Sequence, residues 1–272
     1  MSSIHTTHVG SLPRSKELSE FLFAKDRGEN FNQSNFDNIL KDNVEKVVKQ
    51  QIDVGIDFVS DGEMSKFSYA TYIKDRIDGF SGESERRAPA DLDDFPEYKE
   101  KIAKSGGTPT YTRPCCTNEL KLKDESSLIN DLNNFKSSLK KNNHHKAFMN
   151  AASPGVINVF MPNKFYNSEE EYLDKLSNIM AKEYETITKS EIQVQLDCPD
   201  LALARHMNFK DLSEDEFIKR AEIQIECLNA AMENVDVEKT RMHICWGNYE
   251  GPHTHEYEDL HSCLLYTSPS PR

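Results

Sequence analysis

The feature that most constrains this chain is a recurring alternation. Short runs of strand character, several of them ending on a polar residue, are separated by stretches whose apolar residues recur at helical spacing. Phe36, Ile39, Leu40, Val44, Val47, Val48 and Ile52 predict a helix over about 36–54, with Gly55 placed to stop it. Ile56 to Glu63 then reads as a strand ending on two acids, Asp61 and Glu63, around Gly62. Lys146 to Ala152 is a further strand, closed by Ser153-Pro154-Gly155. Ser168 with Glu171 and Ser213 with Glu216 have capping-box spacing, predicting two more helices. Between them Glu191 to Asp197 alternates and ends on an acid, and Arg241 to Trp246 follows as a strand. Strands repeatedly separated by helices imply a parallel sheet with helices packed outside it.

Six candidate strands can be placed, near residues 6, 56, 108, 146, 191 and 241. Eight would close a (β/α)8 TIM barrel, so the expectation is an α/β barrel with about six of its eight strands, C-terminally truncated. Ser11, Asp61, Glu63, Ser153, Asp197, His243 and Cys245 fall at strand C-termini, the rim where barrel active sites sit. A doubly wound open sheet has the same rhythm, but neither G-x-G-x-x-G nor a P-loop supports it. Residues 64–79, with Phe67, Tyr69 and Tyr72, read as helix-like. The polar stretch from Ser81 to about Gly107 reads as an excursion from the repeat. A polar helix is expected over 125–141.

A formal net charge of -13 argues against a nucleic-acid partner, because an acidic surface repels phosphate backbones. No run of 18 apolar residues spans a bilayer, and no basic cluster suggests a membrane-surface helix. The first residues lack the charged and apolar regions of a secretory signal. Six cysteines without C-x-x-C or disulfide-like spacing fit a reducing cytoplasm. Residues 263–272 depart from the style of the rest. Back-translated, they can be written as a transposase adapter used in preparing sequencing libraries. The expected organisation is therefore one incomplete barrel domain over 1–262 and an adapter-derived tail over 263–272, with the natural frame continuing past Ser262.

His243 and Cys245 lie two apart on a strand and so share a face. Imidazole and thiolate on one rigid face suit zinc, although two donors do not complete a tetrahedral site and both could be ordinary core residues. Asp61, Glu63 and Asp197 could equally be surface-loop acids. Cys115-Cys116 point to opposite faces and read as structural. His253 and His255 read as solvated or substrate-facing, and His144-His145 as a surface pair.

Thr7-His8-Val9-Gly10-Ser11-Leu12-Pro13, Asp61-Gly62-Glu63, Gln195-Leu196-Asp197-x-Pro199 and His243-Ile244-Cys245 together resemble the catalytic domain of the cobalamin-independent methionine synthase family. The similarity is nearest to its single-domain relatives, which include alkyl transferases using other thiols. The resemblance covers roughly residues 5–262 and implies a (β/α)8 barrel in which zinc activates the thiol of homocysteine. It implies His243 and Cys245 as two zinc ligands, the Val9-Gly10-Ser11 turn as the carboxylate cradle, and Asp197 and Glu63 as the ammonium partners. Phe160 would take the place of the family's pterin-stacking tryptophan, and Cys198 stands where the family has a glutamate. The implied reaction moves a methyl group from 5-methyltetrahydrofolate to homocysteine, giving methionine. No residue here is assigned as the general acid, and the remaining zinc ligands would lie beyond Ser262. Open alternatives are a zinc-dependent transferase for another thiol, a metal-free barrel decarboxylase, and a non-functional fragment or binding module.

Overall fold

The computed structural model describes residues 4–85, 90–105 and 112–245. Four parallel strands form its main sheet: β1 (Val59–Ser60), β4 (Ala147–Ala152), β5 (Gln193–Asp197) and β6 (Thr240–His243), neighbours in that order. Thr7 makes a parallel bridge to Phe58, which adds the N-terminal segment beside β1. Spatial order therefore follows chain order without reversal. A doubly wound sheet reverses at a switch point, whereas a barrel winds one way with all helices on one face. The fold is α/β with the winding of a (β/α)8 barrel.

The helices supply the outer layer. They are α1 (Lys16–Asp26), α2 (Gln33–Asp53), α4 (Ser126–Lys141), α6 (Glu169–Lys189) and α7 (Glu214–Ala231), with a short α5 (Pro154–Phe160) at the end of β4. All but α4 start where a side chain caps them. Ser15, Asn32, Ser153, Ser168 and Ser213 each accept a backbone N–H with the side-chain oxygen, satisfying one orphan donor of the first turn. The expected capping box forms fully at Ser213–Glu216. At Ser168 only half of it forms: Glu171 N donates to Ser168 Oγ at 3.1 Å, while the Glu171 carboxylate accepts from Asn167 N instead.

Side-chain alternation separates the two faces of the sheet. Met149, Ala151, Val194 and Leu196 join the core under the helices, together with Leu176, Met180, Tyr184 and Ile187 of α6. The opposite face carries the rows Asn150–Gln195–Arg241 and Ala152–Asp197–His243, fixed by the parallel register. Arg241 lies 4.2 Å from the ring centre of Phe148 on this inner face. At the short strand β1, Gln51 of α2 acts as a surrogate neighbour, donating to Ser60 O at 2.8 Å and accepting from Ser60 N at 3.0 Å.

Two expectations change between β1 and β4. Residues 64–79 are not one helix but turns, a single 3-10 turn at Tyr72–Asp75, and the start of β2 (Ile77–Ser81). The candidate strand near 108 falls mostly on residues 106–111, outside those described. The adjoining chain forms β3 (Cys115–Leu122), which pairs antiparallel with β2 in a separate hairpin rather than in the main sheet. A Pro-flanked, polar segment gains nothing in a sheet buried on both faces, so it pairs outside it. The excursion over Ser81 to Gly107 holds a 3-10 turn at Ala90–Leu92 and α3 (Pro96–Ser105), with 86–89 outside the described residues. No helix among the described residues is long and apolar enough to cross a membrane.

Candidate functional site at the rim of the sheet

The polar strand ends meet at the C-terminal edge of the sheet. Asp61, Glu63 and Asp197 are only 3%, 3% and 5% exposed, which overturns the reading of them as surface-loop acids. Gly62 sits between the first two with φ +66, and a Cβ there would stand 2.9 Å from Met64 Cε and 3.1 Å from Val47 Cγ1. The tight turn it permits aims Glu63 inward. Glu63 itself adopts φ +56, a left-handed conformation that a glutamate takes only where surroundings enforce it. Here Arg14 donates to its carbonyl at 2.7 Å and Lys66 N does so at 3.0 Å.

The turn around Gly10 docks onto this element through Leu12 N, which donates to Gly62 O at 3.1 Å. Val9 and Ser11 are both exposed beside it, and Gly10 has φ +85. The N-terminal turn and the Asp61–Glu63 turn are therefore one structural unit, assembled from segments about 50 residues apart.

Asp197 is gripped on both oxygens. Asn150 Nδ2 donates to Oδ2 at 2.9 Å from β4, and Gln195 Nε2 donates to Oδ1 at 3.0 Å from within β5 itself. Burial pushes the Asp197 carboxyl above its usual range, opposed by those two amides, by His243 and by Lys66. His243 faces Asp197 in register on β6. Burial holds its imidazole below the ordinary value, with Asp197 opposing and Arg241 adding to the effect. Glu63 rises to about 7 through burial, opposed by Lys66, reinforced by Asp197 and Asp61, and opposed again by Arg14.

Cys245 follows His243 at the end of β6, half-buried and not disulfide-bonded. The segment after Asp197 is laid along this strand end, with Cys198 N donating to His243 O at 2.8 Å and Leu203 N to Cys245 O at 3.0 Å. A neutral imidazole and a thiol two residues apart fit the donor chemistry of zinc. A catalytic zinc takes three protein donors, and no group of three His, Cys, Asp or Glu that could hold a metal is present among the described residues. The pair could supply two donors at most, and any further donors would have to come from outside the described residues. His253 and His255 also lie outside them.

Phe160 ends α5 and borders a cleft of about 470 Å3 that also takes in Arg113, Asn158, Asn208 and Arg220. Its ring is 7% exposed, lies edge-on to Tyr69 at 5.6 Å and is covered by the Arg113 guanidinium at 4.8 Å. It reaches the cleft with part of its surface already in contact. Cys198 is fully buried, and burial pushes its thiol well up, so it places a neutral group where an acid was the family expectation.

Several residues that sequence reasoning passed over shape the site. Gln195 and Asn150 carry the grip on Asp197. Gln195 could have been found, since it shares a strand face with Asp197; Asn150 is the one amide in an otherwise apolar strand. Lys66, 2% exposed, donates to Asn150 O and lies 4.4 Å from the Tyr72 ring centre. Beneath it Arg76 pairs with Asp131 at 2.8 Å and Glu183 at 2.9 Å, and Tyr72 Oη donates to Glu183. Ala152 N in turn donates to Tyr72 Oη at 3.3 Å, tying the end of β4 to this buried network. Asp200, fully buried, accepts from Ser153 Oγ at 2.7 Å.

Residues 4–89 match the family described as the catalytic domain of cobalamin-independent synthase. Methionine synthase of Sulfolobus acidocaldarius is 26% identical over 245 residues, which is 90% of this chain and 62% of that protein. The methionine synthase of Saccharolobus solfataricus is 23% identical over the same share of this chain and 63% of its own. The chain thus spans a little under two thirds of the length of these relatives. Among solved structures, a B12-independent methionine synthase from Shewanella sp. W3-18-1 in complex with selenomethionine superposes with a TM-score of 0.61. It is 18% identical, covers 89% of this chain and 61% of its own, and so speaks to the fold. At its N-terminal turns this chain is similar to the catalytic domain of cobalamin-independent synthase, and over 90% of its length to the methionine synthases just named.

Proposed function

We propose that this chain carries the amino-acid half of a thiol methyltransferase site, acting on homocysteine to give methionine. The observation that carries the reading is the convergence of two buried carboxylates, Glu63 and Asp197, beside His243 on one rim. Two acids in so dry a place suit a cationic ligand, and an ammonium group would pair with both. The Gly10 turn lies next to Glu63 through the Leu12–Gly62 hydrogen bond, within one small-molecule span, and its backbone amides suit a carboxylate. Together they would hold an amino acid with its side chain directed toward His243 and Cys245.

Those two residues would hold zinc with donors from outside the described residues. When bound, zinc supplies thiolate from a thiol that is otherwise mostly protonated at neutral pH. Asp197, fixed by Asn150 and Gln195, sets the orientation of the bound amino acid. Glu63 closes the opposite side, and the buried surroundings strengthen both contacts. The methyl donor, read as 5-methyltetrahydrofolate, would enter by the cleft bordered by Phe160 and Arg113. Five cysteines among the described residues stand outside any disulfide, which suits a reducing cytoplasm.

A second reading, a related transferase for another thiol, is favoured by one substitution. Cys198 replaces the acid expected beside Asp197 and offers a neutral, buried thiol instead. Zinc stoichiometry and methionine formation test the main reading together. A protein carrying this chain together with the remaining zinc ligands, supplied with zinc, homocysteine and 5-methyltetrahydrofolate, is expected to bind one zinc and form methionine, and His243→Ala to lose both. Full zinc occupancy in His243→Ala would remove the metal assignment. Turnover with another thiol but not homocysteine would select the second reading.

A further inference from the structure

Glu63 feels the charge of Asp197, but the two acids are prepared differently. Asp197 has an amide donor on each oxygen. Glu63 is 3% exposed, and its Oε1 has no hydrogen-bond partner among the described residues. An ionised carboxylate buried with an unsatisfied oxygen costs more than its neutral form, because nothing replaces the lost hydration. The groups that face it are Arg14 and Lys66, which favour the charged form, and Asp61 and Asp197, which oppose it. Burial outweighs the two cations and brings the carboxyl to about 7. Paired acids whose surroundings divide their protonation in this way take different roles.

We propose that Glu63 holds a proton before ligand arrives and yields it to solvent when the ammonium group of an amino acid docks, so that binding releases a proton. The exchange balances without any co-reactant: a neutral Glu63 carboxyl and a free ammonium group become a carboxylate–ammonium ion pair and one proton in solution. Asp197, with an amide donor already on each oxygen and acceptor capacity to spare, remains the fixed anchor, and the orphaned Oε1 of Glu63 gains its donor only on binding. The inference rests on the amino-acid reading of this rim.

Calorimetric titration of the full chain with L-methionine, in buffers of different ionisation enthalpy, counts the protons exchanged. With the Glu63 carboxyl at about 7, release of about 0.9 proton per site is expected at pH 6 and about 0.1 at pH 8. Glu63→Gln is expected to bind with at least tenfold lower affinity and to release none. Methionine bound at pH 6 with no proton release, or with release that persists in Glu63→Gln, would overturn the proposal while leaving the amino-acid site standing. An absence of methionine binding from pH 6 to pH 8 would overturn both.

Discussion

Replacing Arg76 by Met tests whether the rim depends on the charged network beneath it. The Arg76 side chain is 6% exposed and reaches Asp131 at 2.8 Å and Glu183 at 2.9 Å, which are themselves 7% and 8% exposed. Its guanidinium also lies 4.9 Å from the Tyr72 ring centre and donates through Nε to Ser127 Oγ at 3.2 Å. Such a group is no bargain for stability when compared with an apolar core, since three charges had to be dehydrated. Removing one member is different, because it strands the others. Breaking a buried pair in this way costs about 3–5 kcal/mol. For a domain of this size that is roughly 6–20 °C in Tm, at about 2–4 °C per kcal/mol.

The control is Lys49→Met. Lys49 pairs with Asp53 at 2.7 Å, but the side chains are 60% and 56% exposed. An exposed i,i+4 pair contributes about 0.3–0.5 kcal/mol. Urea denaturation of both variants at pH 7 measures the contrast. The loss in Arg76→Met should shrink as pH falls and the stranded Asp131 carboxyl, already pushed up by burial, takes up a proton, and the triple change Arg76→Met, Asp131→Asn, Glu183→Gln should recover part of it. A loss below about 1 kcal/mol in Arg76→Met, or one equal to the Lys49 control, would refute the reasoning.

Two further predictions concern the contact between α5 and the segment after β5. A Cβ on Gly155 would stand 2.1 Å from Asp200 Oδ2 and 2.7 Å from its Cγ. Gly155→Ala is therefore expected to cost about 1–3 kcal/mol by overpacking, and Asp200→Ala in the same chain to recover most of it, read from paired thermal melts. Burial raises Asp200 from the ordinary 3.8 to about 6, with the Ser153 hydroxyl opposing. A carboxyl raised on folding contributes stability that is fully present below pH 3.8 and is lost as pH rises through 6. Asp200→Asn, which can still accept from Ser153, should thus gain on the wild type across that window, by up to about 3 kcal/mol. A difference that stays constant from pH 4 to pH 7 would count against it.

The periodicities of the chain determined the α/β class and most of the repeat. The stripe Phe36–Ile52, the Ser-capped helices and the alternation over Gln193–Asp197 are local signals, and local hydrogen bonding and burial on one face read them directly. The rim was legible for the same reason: an acid or a histidine ending an apolar strand must leave the core where the strand does. Tertiary structure alone decided the rest. The polar, Pro-flanked character of the segment around β3 kept it out of the main sheet, but nothing local named β2 as its antiparallel partner, because only the neighbouring surface selects that pairing. The grip of Asn150 and Gln195 on Asp197 joins residues 47 and 2 positions apart, and the Arg76 network joins positions 55 and more apart. Likewise, Asp61 and Glu63 are buried because the N-terminal turn and Arg14, about 50 residues earlier, close over them. Sequence spacing fixes which face a side chain presents; which charges share that space, and so which acid keeps its proton, is set only when distant segments shut out water.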